Sequence, residues 1–371
     1  LKIRTLLALF ILVSPLALAT LPPDLTAAGK GNIQQAWPLM APLPKPEGLR
    51  PCCAFGYDLH AEVFHIPVPF YQLRNVVTAS SLGHHRYNDS TLAGLANLLG
   101  IGSEKNGIVY TSRGGFIDTA HVRDTADMTV YLFSHLWPKL GQRFVLRLDD
   151  ELAQRRLVFN AFVPPAAASD RYRLAALMSA HLAFQIAAWH EIAQWYGFRS
   201  VPGFSEEISA FSPEDLYSNL LGARLALALI FDGQTASLGM YQAAMSSALP
   251  QALLQLDAAP ASETRFWFDR LDGRWWNSRL RVPEKYLVLR RNYSVSDYRV
   301  PTPVPGETTP PLTLHLPHRW QRYDLDALAQ LQLWPGSDRA HLPAPVSWYT
   351  SADFPGLAAS ACRQDAGAKK R

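Results

Sequence analysis

The chain has 371 residues, 48% of them hydrophobic and 18% charged. That is enough apolar material for one sizeable core or two closely packed ones, and too much for a disordered chain. The formal charge is +4, and losing Lys2 and Arg4 with a leader would leave +2, which gives no electrostatic footprint for nucleic acid.

Residues 1–19 read as a removable signal peptide. Leu1-Lys2-Ile3-Arg4 supplies the basic start, an apolar run from Leu6 to Leu18 follows, and Ala17-Leu18-Ala19 forms a small-x-small cleavage site. The run is too short to span a bilayer, and no later stretch offers about 18 uninterrupted apolar residues. The expectation is a periplasmic or otherwise extracytoplasmic protein with no transmembrane segment in the mature chain. Cys52, Cys53 and Cys362 are the three cysteines. One disulfide from Cys362 to either member of the pair would staple the chain ends and leave an odd thiol.

Further along, composition predicts a Pro- and Gly-rich arm over 20–50, short edge strands between Leu59 and Leu73, and a capped helix over 91–99. Residues 107–111 read as a strand leading through Arg113-Gly114-Gly115 into a helix over 117–137, which Pro138 stops. Residues 144–148 and 156–162 form a hairpin around Asp149-Asp150-Glu151. A long helix starts near Ser169 and runs to Tyr196, with Gly197 as its natural end. Ser212-Pro213-Glu214-Asp215 opens the next, with Ser212 as cap and Asp215 as the capping-box acid. Helices follow over 235–257 and 261–272, then a β-rich stretch at 286–295, an extended Pro/Thr-rich loop at 301–311 and one short helix near 324–332. The basic end, Lys369-Lys370-Arg371, should fray.

Strands and helices cluster instead of alternating, so the fold class expected is α+β: a predominantly helical central body with small antiparallel β elements. The mainly helical catalytic or binding domain covers 51–300. A Pro-rich loop and C-terminal extension over 301–371 pack on it. Neither G-x-G-x-x-G nor a P-loop occurs, which disfavours a doubly wound nucleotide fold.

The chemistry concentrates around Trp189-His190-Glu191-Ile192-Ala193-Gln194. A His-Glu pair on a helix resembles the start of H-E-x-x-H, where two histidines one turn apart bind zinc and the glutamate activates water. Here Gln194 replaces the second histidine, and an amide is a poor zinc ligand. His181 cannot repair the motif, because nine residues at about 100° each place it on the opposite face. His121 is the second candidate imidazole, with Asp118 one turn before it to orient the ring or share an ion. Glu206 and Glu207 lie downstream of the His-Glu helix, where an acid can complete a metal site. The expectation is a hydrolase using zinc or another divalent metal, with His121, His190 and Glu206 or Glu207 as ligands. Glu191 is then the general base, Asp118 orients His121 and Arg123 steadies an anionic intermediate. The competing reading is a structural ion-pair network, since charges buried among apolar helices must pair.

Two rival classes stand beside it. A thiol hydrolase or acyltransferase would use Cys53 with His121 and Asp118, and a non-catalytic envelope-binding protein would use none of these groups. His84-His85 reads as surface decoration and Phe266-Trp267-Phe268 with Trp275-Trp276 as core.

Three segments, PCCAFGYDL at 51–59, GGFIDTAHVRDTAD at 114–127 and HEIAQWYG at 190–197 with SEEISAFSPEDLYSNLLG at 205–222, resemble an uncharacterised family of exported bacterial proteins, a domain of unknown function. The resemblance spans nearly the whole mature chain. It implies an extracytoplasmic protein and assigns no activity or catalytic residue. Cell-envelope material, including its peptide bonds, is the substrate or partner class that the expected compartment suggests.

Overall fold

The structure is a computed structural model describing residues 37, 41–46, 50, 54–63, 66–73, 75–87, 104–200, 205–336, 342–343 and 347–369. The expected signal peptide, most of the N-terminal arm, the helix over 91–99, Cys52 and Cys53 lie outside the described residues. Cys362 is exposed and free.

The class is α+β with a helical body. A hairpin of β1 (Leu59–Val63) and β2 (Ile66–Leu73) precedes a second, β3 (Ile108–Thr111) and β4 (Gly115–Asp118). Strand β4 runs straight into α1 (Thr119–Leu136). The hairpin β5 (Phe144–Arg147) and β6 (Ala153–Phe159) turns at Asp149–Glu151 as predicted, and α2 (Ala168–Trp195) follows. Next come α3 (Asp215–Phe231), α4 (Leu238–Gln255) and α5 (Ala261–Leu271).

Helices α2 and α3 carry apolar side chains around nearly their whole circumference, so each is enclosed by protein. Helix α1 packs on both, and Gly222 of α3 brings the two backbones together at Val122 of α1. A separate aromatic cluster forms under β3 and β4, where Phe55 meets Phe116 and Phe268 edge-on, each at 5.0 Å. Phe268, Trp275 and Trp276 are buried there, so most of the aromatic run is core, while Phe266 is exposed.

The C-terminal part departs from expectation. The stretch expected to be β-rich at 286–295 holds the end of a short 3-10 turn, Lys285–Leu287, and one isolated antiparallel bridge from Val288 to Trp276, with no strand described. Short strands β7 (Tyr298–Arg299) and β8 (Leu314–His315) pair, as do β9 (Arg319–Trp320) and β10 (Tyr323–Asp324). The helix expected near 324–332 is a single turn, α6 (Leu325–Leu328). It gives way to β11 (Ala329–Pro335), where Ala329, Leu331 and Leu333 are buried in period-2 alternation with glutamines. Strand β11 pairs antiparallel with β6 to complete a sheet of order β11-β6-β5. Helix α7 (Phe354–Ala368), absent from the sequence reading, packs on α2.

A buried charge network fastens the early loops to α1. Arg50 bonds Glu104 (2.7 Å) and Asp124 (2.6 Å) and lies 3.0 Å from Asp127, which also holds His85 (2.9 Å) and the Tyr241 hydroxyl (2.6 Å). Burial opposes ionisation of Glu104 and Asp127, but Arg50 and His85 outweigh it and hold both carboxyls below their usual range.

Candidate metal centre at the α1, α2 and α3 junction

The β4–α1 junction fixes the first pair of groups. Asp118 is the N-cap of α1, its Oδ1 accepting from Ala120 N at 2.7 Å. Its own N–H donates to Ser218 Oγ of α3 at 2.9 Å. One turn later His121 turns Nδ1 toward Asp118 Oδ2 at 3.1 Å. From α3, Asp215 Oδ1 stands 3.7 Å from the same ring nitrogen, and from α2, Glu191 Oε1 stands 3.7 Å from His121 Nε2. Three helices thus converge on one imidazole.

The groups are buried: Asp118, Glu191 and Asp215 are 0% exposed, Glu214 is 2% and His121 is 8%. Glu191 Oε1, Glu214 Oε1 and both oxygens of Asp215 have no hydrogen-bond partner. Burial pushes Glu214 up to about 8 and raises Asp215 well above the carboxylate range; the His121 imidazole opposes both shifts. One atom each from Asp118, His121 and Asp215 lies within 4.8 Å of the other two. The ligands of a tetrahedral ion at about 2.0–2.2 Å stand roughly 3.3 Å apart, so only small rotations would close this set around one cation.

The segment after α2 braces the site. Phe211 is fully buried yet has φ +57°, a region that bulky side chains rarely adopt. In that conformation its N–H donates to Glu191 Oε2 at 2.6 Å and its carbonyl accepts from Asn292 N at 2.8 Å. Backbone strain here holds a carboxylate in place. Asn292 and Thr302, whose hydroxyl donates to Pro213 O at 2.9 Å, also line an open cleft of about 390 Å³ formed by residues 290–293 and 300–303. Segment 210–213 is therefore both the cleft's inner attachment and the brace of Glu191. Burial lowers Arg299 to about 10 and also lowers Arg291, with Glu191 opposing the shift at both.

Of the residues singled out in the sequence, Asp118, His121 and Glu191 come together. His190 points elsewhere on α2: its Nδ1 meets Glu151 Oε1 at 2.7 Å and Gln194 sits 2.9 Å from its Nε2. The adjacent carboxylate outweighs burial and raises its pKa. Glu206 accepts from Ser200 N at 2.6 Å and lies 3.4 Å from the Gln194 amide, and Glu207 pairs with Lys285 at 3.0 Å. Arg123 spends its guanidinium on Asn106 (2.5 Å) and the Leu82 carbonyl (2.9 Å), away from the carboxylate cluster.

Asp215 and Glu214 are the residues that the sequence reading passed over. Helix α3 begins at Asp215, not at Pro213, and Ser212 donates its hydroxyl to Glu214 Oε2 at 2.7 Å. The capping-box role expected of Asp215 is thus not the one it has. A usable signal was present: an acidic pair opens a helix that is apolar all round, so its first turn is buried as well.

No curated protein and no solved structure matches the chain. A family model described as protein of unknown function, DUF4056, matches residues 40–305, well over half of the sequence. The chain belongs to this family, DUF4056, and the converging carboxylates and imidazole lie inside the matched span.

Proposed function

We propose that the protein is a metal-dependent hydrolase whose divalent ion, zinc or a similar cation, is held by Asp118, His121 and Asp215. The observation that carries the reading is the set of buried carboxylate oxygens on Glu191, Glu214 and Asp215 that no protein donor satisfies. Burying such groups is costly unless a cation compensates them. A bound divalent ion supplies Lewis-acid polarisation of a scissile bond and lowers the pKa of water toward neutrality.

The chain's own groups supply the rest. Asp118 and Asp215 both face His121 Nδ1, the nitrogen that would meet the ion, and Glu191, held by the Phe211 N–H, accepts the proton of the attacking water through Oε1, which has no hydrogen-bond donor. Substrate would approach through the cleft of residues 290–293 and 300–303, which adjoins the 210–213 segment. His190 and Glu206 are linked through Gln194 on the neighbouring face of α2 and take no part in holding the ion. The N-terminal pattern supports export, which makes cell-envelope material the first substrate class to test. Among the described residues no helix is long and apolar enough to cross a membrane.

The experiment is metal analysis of the purified chain, followed by titration of metal-stripped protein with Zn²⁺. His121→Ala and Asp215→Asn should lose one equivalent while keeping the native circular dichroism, and His190→Ala should keep it. Hydrolysis of ester, phosphoester and peptide probes should fall at least 100-fold in Glu191→Gln with metal retained. Full metal occupancy in His121→Ala would end the proposal.

A further inference from the structure

A second group of imidazoles and carboxylates meets α2 ten residues before Glu191. His181 from the middle of α2 is 3% exposed, and it meets Asp297 from just before β7, His318 from just before β9 and Asp326 from α6. Asp297 stands between the two rings, its Oδ2 3.5 Å from His181 Nδ1 and its Oδ1 3.0 Å from His318 Nε2. The other nitrogen of each ring faces Asp326: His181 Nε2 at 2.9 Å and His318 Nδ1 at 3.2 Å.

We infer that His181 Nδ1, His318 Nε2 and Asp297 form a divalent-cation site of zinc type, with Asp326 as the carboxylate that orients both rings. Several observations point this way. One atom each from His181, Asp297 and His318 lies within 4.8 Å of the other two. The ring centroids are 5.1 Å apart at 78°, and two imidazoles on one tetrahedral ion have centroids roughly 5 Å apart. Two nitrogens and a carboxylate oxygen form a donor set that suits zinc better than calcium or magnesium. A metal-binding imidazole commonly donates its remaining N–H to a carboxylate, which fixes the tautomer, and here one carboxylate serves both rings. His318 is 58% exposed and Asp326 46%, so an ion can enter from solvent and water can fill the fourth position.

The placement gives the site a task. His181 and Asp297 lie within residues 40–305 matched by the family model, whereas His318 and Asp326 lie beyond them. A cation held here would fasten the C-terminal extension to the middle of the central helix, about 15 Å along its axis from Glu191. The role is a structural clasp, separate from the Asp118 centre.

The test titrates metal-stripped full-length protein with Zn²⁺ by calorimetry, beside thermal melting with and without zinc. His318→Ala should lose one zinc equivalent and the zinc-induced rise in melting temperature, and Asp326→Asn should keep the stoichiometry with 10–100-fold weaker binding. His121→Ala should retain this equivalent, which separates the clasp from the proposed catalytic ion. Should His318→Ala prove unfolded by circular dichroism, Asp326→Asn carries the test through its weaker affinity. Wild-type protein that takes up no zinc lost in His318→Ala, or that binds zinc as tightly as Asp326→Asn, would overturn the inference.

Discussion

Replacing Gly222 by alanine tests how closely the site depends on helix packing. A Cβ at this position would stand 2.1 Å from Val122 O, 2.9 Å from Val122 C and 3.0 Å from Val122 Cα. All three are backbone atoms of α1, so no rotamer change relieves the clash. Carbon–oxygen contacts are comfortable at about 3.3 Å, so α3 must retreat by roughly 1 Å. Overpacking of this kind costs up to ~3 kcal/mol, while removing glycine from a helix interior returns ~1 kcal/mol. The net expectation is a loss of ~2 kcal/mol, read as a lower urea midpoint at unchanged slope. Because Val122 follows His121 and Gly222 lies two turns from Asp215, the same displacement widens the 3.7 Å approach of Asp215 to the ring. Zinc affinity should fall with stability. Gly356→Ala in α7, where a Cβ meets nothing within 4 Å, is the matched control and should be neutral or slightly stabilising. A Gly222→Ala midpoint at or above wild type would refute the reasoning.

Other predictions follow from the buried charges. Arg50→Met leaves Glu104, Asp124 and Asp127 without their common cation and should cost about 3–5 kcal/mol in denaturant unfolding; a loss under 1 kcal/mol would show that the carboxylates find other partners. Glu104 and Asp127 are held below their unfolded values of 4.5 and 3.8, so their stabilisation is complete above those values and is lost as pH falls through the lower folded ones. Melting temperature should therefore drop more steeply below pH 5 in wild type than in Arg50→Met, and superimposable slopes would contradict this. Ser218→Ala removes the acceptor of the Asp118 N–H and should cost ~1–3 kcal/mol while weakening zinc binding, both measurable in the same titration.

Much of the body was legible because its helices carry strong local signals. The break at Pro138, the turn at Asp149–Glu151 and the end at Gly197 lie where the residues indicate. The C-terminal part was harder to read. Strand β11 has the alternation of a half-buried strand, but its first residues follow directly on the α6 turn, and a short apolar run there reads equally as helix. In the site, Asp118 and His121 were legible because they stand three positions apart on one chain segment. Glu191 was found beside His190, yet adjacent helical residues point about 100° apart, so only one of the pair reaches His121. The apolar circumference of α3 signals that Asp215 is buried, but which imidazole it faces depends on how α3 packs against α1, which no local pattern encodes. Its acidic neighbourhood and preceding serine imitate an ordinary helix start.

The sheet order β11-β6-β5 bears on how the protein is handled. The matched family span stops at residue 305, but β6 is the middle strand only because residues 329–335 lie along it. A fragment cut at that boundary would bare a seven-residue row of hydrogen-bonding groups and uncover Leu157 and Phe159, which are buried in the intact chain. Such an edge recruits other chains, so the fragment should aggregate on expression, and the extent of homology is a poor guide to where this protein can be shortened.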